Sequence, residues 1–308
     1  MPGLKKSSRQ VSAVEVGEVG VLPSLAGKLR DRMQLAKLTL CFQVAFSSLF
    51  GFIYAAQAVS FQAVLVAFAV LVLACGAASL NSYQERSRDA LMRRTRNRPL
   101  VRKKLTEQHA LLQAVFLIVL GLLLIFQLAN FKALLAGITA ILLYNFVYTG
   151  MKGVTLYALL PGALCGAMPP YIGYLAAEGE GTFLRAFLPV LLLFFWQVPH
   201  FFLVLLNHKK DYASGPVPNL LQGLSEPALR RIFLPWIAAL AMTMLAFTVM
   251  SSQLGIFMRS LIAVNAFALC GLFGVQLFLS KQPAYRSLFR YLNFSLLFMM
   301  VAGCWVAV

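Results

Sequence analysis

Long apolar runs alternate with short polar segments along most of this 308-residue chain. Each run holds roughly the 20 residues that a helix needs to cross a hydrocarbon core of about 30 Å. The pattern predicts an all-α, polytopic membrane helical bundle of about nine transmembrane helices. Because the connections near residues 150 and 284 are short, eight spans with a re-entrant segment are the alternative. The nine predicted spans are 38–58, 61–80, 110–129, 132–149, 154–176, 185–206, 232–252, 258–280 and 288–308.

Composition agrees with a membrane protein and fixes its predicted orientation. Hydrophobic residues make up 60% of the chain and charged residues only 12%, against about 25% in soluble proteins. If the N-terminus lies inside, the inside segments hold 24 of the 27 Lys and Arg residues, as cytoplasmic loops should. We therefore expect a multi-pass protein of the inner (cytoplasmic) membrane with a cytoplasmic N-terminus. The net charge of +17 then reflects topology, and nucleic acid is not an expected partner.

The first 37 residues are predicted to form a basic cytoplasmic tail ahead of a membrane domain at 38–308. Within the tail, apolar residues recur at near-helical spacing and alternate with basic ones. This spacing favours a helix lying on lipid headgroups, although a plain basic anchor fits equally well. The apolar positions are Leu25, Leu29, Met33 and Ala36, and the basic ones are Lys28, Arg30 and Arg32.

The polar stretch NSYQERSRDALMRRTRNRPL, residues 81–100, carries the most specific chemistry. If it begins as a helix, Asn81, Glu85 and Asp89 lie at positions i, i+4 and i+8, on one face. Carboxylate and amide oxygens in a row are ligands for a hard cation such as Mg²⁺. Arginines such as Arg94 and Arg98 follow, and guanidinium groups suit phosphate oxygens. The stretch predicts a metal-bound diphosphate at the membrane surface, where the helix emerges into water.

Two other polar segments are predicted to return to the same side of the membrane. YNFVYTGMKGVT joins spans 4 and 5 and supplies Lys152 with its tyrosines, and NHKKDYASGPVPNL follows span 6 and supplies Asp211. His200 follows a proline within an apolar run, and ionisable groups inside a membrane tend to face a cavity. The three loops are expected to build one shared site.

Four segments of the sequence together resemble the UbiA superfamily of intramembrane prenyltransferases. Residues 81–100 are similar to its first aspartate-rich motif, and MRRTRNRPL is similar to the form found in the protoheme IX farnesyltransferase group. YTGMKGVT, GALCGAMPPYIGY and VPHFFLVLLNHKKDYASGPVPNL resemble further elements of that group, in the same order. The resemblance covers the chain from about residue 38 to its end. It implies transfer of a prenyl group, expected to be farnesyl, from a prenyl diphosphate to heme b, giving heme O.

The resemblance also assigns roles to individual residues. Expected metal ligands, for Mg²⁺, are Asn81, Glu85, Asp89 and Asp211. Expected catalytic residues are Glu85, Asp89, Asp211 and Lys152. Expected substrate-binding residues are Asn81, Arg94, Arg98, Tyr148, His200, Lys210 and Tyr212. Aromatic rings expected to border an allylic cation are Tyr144, Tyr148 and Phe146. Farnesyl diphosphate, heme b and membrane lipids are the expected partners.

Departures from the family pattern leave other functions open. Glu85 and Lys210 stand where the family has aspartates. Altered metal geometry is expected at Glu85, and the Lys210 ammonium is the expected replacement for one of two ions. Phe202 replaces a tryptophan. Prenylation of an aromatic or quinone precursor, and a non-catalytic divergent membrane paralogue, are therefore alternatives. A transporter or assembly factor would not need this row of carboxylates beside arginines on one side of the membrane.

Overall fold

The computed structural model describes residues 25–177, 183–209, 223–251 and 254–305, and over these residues it contains helices and no strands. Two π-helical stretches, Leu142–Tyr148 and Val275–Leu279, each lie within a longer helix. One 3₁₀ turn spans Leu156–Ala158. The helices are α1 (Leu25–Leu35), α2 (Leu38–Ala56), α3 (Phe61–Gln84), α4 (Arg86–Leu91), α5 (Glu107–Leu128), α6 (Phe131–Met151), α7 (Leu159–Ala176), α8 (Phe183–Asn207), α9 (Glu226–Met250), α10 (Ile256–Leu279) and α11 (Tyr285–Cys304).

The all-α membrane fold is confirmed, with one difference in its count of spans. Over the described ranges, eight helices are long and apolar enough to cross a membrane, and α7 is not among them. Three glycines and three prolines within its 18 residues dilute the apolar character of α7. The prediction of about nine spans therefore depends on whether α7 traverses the bundle.

Contacts at its two ends show that α7 does traverse the bundle. It begins just after Lys152, whose ammonium meets Glu85 at the end of α3. At its other end, the Asn130 side chain, in the turn between α5 and α6, donates a 2.6 Å hydrogen bond to the Leu175 carbonyl. A re-entrant segment would return to the end at which it started, so over the described ranges α7 is a ninth helix that crosses the bundle. We call the end that carries Glu85 and Lys152 the charged end.

Four helices begin where a polar side chain accepts a hydrogen bond from a backbone N–H of the first turn. Ser60 accepts from Ala63 at the start of α3, and Asn130 accepts from Ala133 at the start of α6. Thr106 and Ser225 do the same for α5 and α9. These caps lie in the predicted polar segments, which is why the helix starts fall close to the predicted boundaries.

The bundle has two hydrophobic cores that share α2 and α7. One core joins these helices to α8–α11, and the other joins them to α3, α5 and α6. Contact between α2 and α7 is so close that it requires glycine. A Cβ at Gly51 would lie 1.9 Å from the Pro170 carbonyl oxygen, and one at Gly173 would lie 2.0 Å from the Ser48 oxygen. This contact holds the two halves of the bundle together.

The segment predicted as a tail forms the expected helix, α1, over its described residues. Leu29 and Met33 are exposed, 58% and 43%, as a lipid-facing side would be, and contact with headgroups stays a prediction. Ala36, assigned to the same apolar side, is instead buried and packs near Cys41. The sequence pattern was wrong here because the helical period stops at Leu35, where the chain turns into α2. The end of the tail is thus part of the bundle.

We expect Gly51→Ala to destabilise the protein, because its methyl group would overlap the backbone of Pro170. Overpacking costs about 1–3 kcal/mol, and more where backbone must move. Thermal unfolding in detergent measures the loss. Gly271→Ala is the matched control, since a Cβ there meets nothing within 4 Å. Equal unfolding midpoints for the two variants would contradict the close α2–α7 contact.

Candidate active site

The predicted row of oxygen ligands exists at the charged end. The backbone N–H of Glu85 donates to Asn81 and that of Asp89 donates to Glu85, at 2.9 and 2.8 Å. These i to i−4 bonds continue the helical path across the break between α3 and α4, where Glu85 leaves regular helical geometry. Asn81, Glu85 and Asp89 therefore share one face, as their spacing predicts. We call these three residues the oxygen row.

The oxygen row is buried, which corrects the expectation of a water-exposed surface. Asn81, Glu85 and Asp89 are 2%, 4% and 5% exposed. The span predicted to end at residue 80 continues to Gln84, so the row lies beneath the end of the bundle. Because ionised carboxylates are costly to bury, each needs a compensating charge.

Each member of the row has its own cationic partner. Arg98 donates to the Asp89 carboxylate, and Lys37 donates to the side-chain amide oxygen, Oδ1, of Asn81. The Lys152 ammonium lies 2.8 and 3.1 Å from the two oxygens of Glu85. The structure thus brings Asn81, Glu85, Asp89, Arg98 and Lys152 together, as the sequence predicts, and adds Lys37.

The charge state of Glu85 follows from this arrangement. Burial opposes its ionisation, but the ammonium of Lys152, helped by Lys37 and Arg98, outweighs burial and lowers the pKa of the Glu85 carboxyl. Glu85 is therefore an anion at neutral pH. A carboxylate held in this state can bind a metal cation without first losing a proton.

Lys37 is the site residue that sequence reasoning missed. Burial, reinforced by the nearby Arg98, lowers the pKa of its ammonium to about 8. Its backbone is left-handed, with φ of 51°, and its carbonyl accepts the first hydrogen bonds of α2. In the sequence Lys37 is one more basic residue before an apolar run, which topology alone requires. Only its folded position distinguishes it.

A second layer of polar contacts fixes the row against α6. The Asn81 amide donates to the Thr149 hydroxyl, which donates to the Tyr144 carbonyl, at 3.0 and 2.8 Å. Gln84 donates to the Asn145 carbonyl at 3.0 Å. Tyr144 and Asn145 lie in the π-helical stretch, whose wide turn exposes backbone groups for such contacts. The turn that carries Lys152 is thereby held next to the row.

The aromatic residues predicted to border the site separate into two groups. Tyr144 and Tyr148 stack with ring centroids 5.8 Å apart, and the Lys152 ammonium lies 5.8 Å from the centre of the Tyr148 ring. Phe146 is 62% exposed and was wrongly included. It lies between the two tyrosines in sequence but on the outer face of α6.

Arg94 and His200 lie apart from the oxygen row. Arg94 is exposed and lines a groove together with Lys37 and Arg98. His200 lies on α8, with its Nδ1 3.1 Å from Asn293 Oδ1 and its ring 4.4 Å from that of Trp196. Among the described residues, its recorded contacts are on α8 and α11, so substrate binding by His200 stays a prediction.

The second predicted motif falls largely outside the described residues. Lys210, Asp211 and Tyr212 all lie there, so their roles stay predictions. On the far side of that segment, Gly223 lies against Leu156, since a Cβ built on it would be 3.9 Å from Leu156 Cδ1. Gly223, where the described chain resumes, therefore lies beside the turn that follows Lys152. Within the described ranges, no three His, Cys, Asp or Glu side chains come together as a metal site.

The chain is similar to known proteins over most of its length. The UbiA prenyltransferase family model matches residues 44–300. The chain belongs to this family. A protoheme IX farnesyltransferase of Nitratidesulfovibrio vulgaris strain DP4 is 29% identical over 254 residues, or 82% of this chain and 88% of that protein. One from Oleidesulfovibrio alaskensis is 34% identical over 190 residues, or 62% and 67% of the two chains.

Solved structures of family members share the fold. A digeranylgeranylglyceryl phosphate synthase gives a TM-score of 0.75 at 15% identity, covering 91% of this chain and 98% of that one. A UbiA homolog from Archaeoglobus fulgidus, bound to DMAPP and Mg²⁺, gives a TM-score of 0.65 at 16% identity, covering 90% and 99%. At these sequence identities the similarity shows only a shared fold. That fold agrees with the helical bundle described above.

We expect Lys152→Met to destabilise the protein by about 1–3 kcal/mol, because Glu85 would remain buried without its nearest cation. Adding Glu85→Gln to the same chain should restore part of that loss by removing the unpaired charge. Unfolding midpoints in detergent compare the two variants. Lys104→Met is the control, since its partner Asp31 lies 3.7 Å away at the surface. A double variant less stable than Lys152→Met would show that Glu85 is not stabilised by this pair.

Proposed function

We propose that this protein transfers a farnesyl group from farnesyl diphosphate to heme b, giving heme O. The observation that carries the proposal is its similarity to proteins named protoheme IX farnesyltransferase, which extends over 82% of this chain. The oxygen row with its three cations supports the same reaction, because a prenyl diphosphate needs both a divalent cation and positive side chains around its leaving group.

The donor set fits a divalent cation such as Mg²⁺. Glu85 and Asp89 provide two buried carboxylates and Asn81 provides an amide oxygen, all on one face. Hard oxygen donors of this kind suit Mg²⁺, and Asp211 is the proposed fourth ligand. Bound there, the ion would supply positive charge to the leaving diphosphate. Glu85 in place of the family aspartate keeps the ligand type and lengthens its reach by one carbon.

Side chains of the site would hold the diphosphate and take up its charge. Lys37, Lys152 and Arg98 each contact the oxygen row and can turn their donors to phosphate oxygens when the substrate binds. We assign the same task to Lys210, whose ammonium would stand in for a family aspartate and the charge of its ion. These donors favour departure because they are already in place when negative charge develops.

The reaction then proceeds at C1 of the farnesyl chain. The C1–O bond breaks, and its electron pair leaves with the diphosphate. The π electrons of a heme vinyl group attack the allylic cation at C1 and form the new C–C bond. Water adds to the cation left on the former vinyl carbon and loses a proton, which gives the hydroxyl group of heme O. Tyr144 and Tyr148 offer aromatic faces near Lys152 that can stabilise positive charge.

The site also fits the orientation proposed from charge. Glu85, Lys152 and Gly223 lie at one end of the bundle, together with Lys37 and Arg98. We place this end at the cytoplasmic face of the inner membrane, with the N-terminus on the same side. Farnesyl diphosphate would then approach from the cytoplasm with its chain in the lipid.

The proposed function is tested in cells that make heme b and farnesyl diphosphate but lack their own heme O synthase. We expect expression of this chain to produce heme O, detected by mass spectrometry of extracted hemes as heme b plus a farnesyl group and a hydroxyl group. Unchanged heme b at verified protein levels would contradict the proposal. Prenylation of an added aromatic or quinone precursor instead would indicate the alternative acceptor class.

We expect Asp89→Asn to abolish turnover, since the amide carries no charge for the cation and leaves Arg98 without its carboxylate partner. Loss of a bound metal costs several kcal/mol of transition-state stabilisation. Product formation in membranes with matched protein levels is the measurement. Asp31→Asn is the control, because Asp31 lies on α1 and pairs with Lys104 away from the row. Near-normal activity of Asp89→Asn would remove this residue from the mechanism.

A further inference from the structure

An open groove lies beside the oxygen row, between α1, the start of α2 and the loop that follows α4. Its volume is about 860 Å³, within the range of sites that bury a bulky organic ligand. One side is apolar, formed by Leu29, Met33, Leu38 and Leu40. A groove with an apolar side and a basic lining suits a bulky ligand that has both an apolar body and anionic groups.

Basic side chains line the rest of the groove at two depths. Lys37 and Arg98 form its inner wall, and the same two side chains contact the oxygen row. Arg30 and Arg94 line it farther out and are exposed. Over the described ranges, neither Arg30 nor Arg94 has a recorded hydrogen bond or ion pair. Two guanidinium groups are thus available to anions at the outer edge of an apolar surface.

We infer that this groove binds the acceptor heme, with Arg30 and Arg94 holding its two propionate carboxylates. The inference rests on the proposed function and identifies where the second substrate binds. Arginine suits a carboxylate because its planar group donates two parallel hydrogen bonds. Leu29, Met33 and Leu40 would lie against the apolar macrocycle.

The chemistry of heme b favours it over other anions for this groove. Its propionates and its vinyl groups lie on different parts of the macrocycle edge. Carboxylates held at the outer arginines would therefore direct the vinyl groups inward, toward the wall of Lys37 and Arg98. That wall borders the oxygen row. In the proposed function the diphosphate is held at this row, so C1 of the prenyl chain must lie beside it. An anionic phospholipid would satisfy the arginines but would bring no reacting group to the row.

The test uses the full-length protein in nanodiscs of neutral lipid, so that no anionic headgroup competes. Arg30→Gln and Arg94→Gln are compared with Lys28→Gln and Arg93→Gln, exposed basic neighbours that do not line the groove. Initial rates give KM for heme b and for farnesyl diphosphate separately. The same variants are assayed with heme whose propionates are methyl esters, and heme affinity is measured by absorbance titration without farnesyl diphosphate.

We expect each groove variant to raise KM and Kd for heme about three- to tenfold, with KM for farnesyl diphosphate and the controls unchanged. Wild type should bind the diester more weakly than either single variant binds heme, because esterification removes both carboxylate contacts. Neither variant should bind the diester more weakly than wild type does. Unchanged heme affinity in both variants would overturn the inference. A rise in KM for farnesyl diphosphate would also overturn it. So would an equal loss of affinity, caused by each variant, for heme and for the diester, since such a loss would not come from a carboxylate contact.

Two outcomes separate this inference from the proposed function. If wild type converts heme b and the groove variants match it, the function stands and the groove is not the acceptor site. If wild type prenylates another acceptor and neither binds nor converts heme, both proposals fail together. An effect of the variants seen only in anionic lipid would assign the arginines to phospholipid headgroups and overturn the inference.

Discussion

Charge compensation beneath the membrane surface is the constraint on which this structure depends. Glu85 and Asp89 are almost fully buried, and carboxylates can stay ionised there only with cations in contact. Three segments distant in sequence supply positive groups to the row: the joint before α2, the loop after α4 and the turn after α6. Because the three cations lie on separate segments, the helices must pack correctly before all of the row is compensated.

That requirement explains several features that otherwise look unrelated. The glycine contact of Gly51 with Pro170 brings α2, and with it the joint at Lys37, close to the rest of the bundle. The π-helical stretch of α6 lets Thr149 and Asn145 reach the end of α3. The resulting site is polar inside an apolar protein, a combination suited to separating a charged leaving group from a hydrocarbon chain.

Much of this arrangement could be predicted from sequence because it follows from local rules. Helix period places Asn81, Glu85 and Asp89 on one face, and the distribution of Lys and Arg predicts that the turn carrying Lys152 lies at the same end as the row. Lys37 and the burial of the row could not be predicted, since both depend on where α3 ends relative to distant helices. Phe146 was misassigned although residues two apart lie on opposite sides of a helix, so helix period alone separates it from Tyr144 and Tyr148. The family resemblance pointed to Asn81, Glu85 and Asp89 as ligands. Only the folded structure shows which cations contact them.

The joint at Lys37 has a consequence for how the chain can vary. Chain termini are usually the segments most tolerant of trimming and fusion. Here a lysine 44 positions before Asn81 reaches it directly, through a left-handed backbone that the surrounding structure must hold in place. A change imposed on α1 therefore reaches the oxygen row directly, without passing through the bundle. Fusion or trimming close to Lys37 is expected to disturb the candidate site, although this lysine lies outside the helices that carry the row.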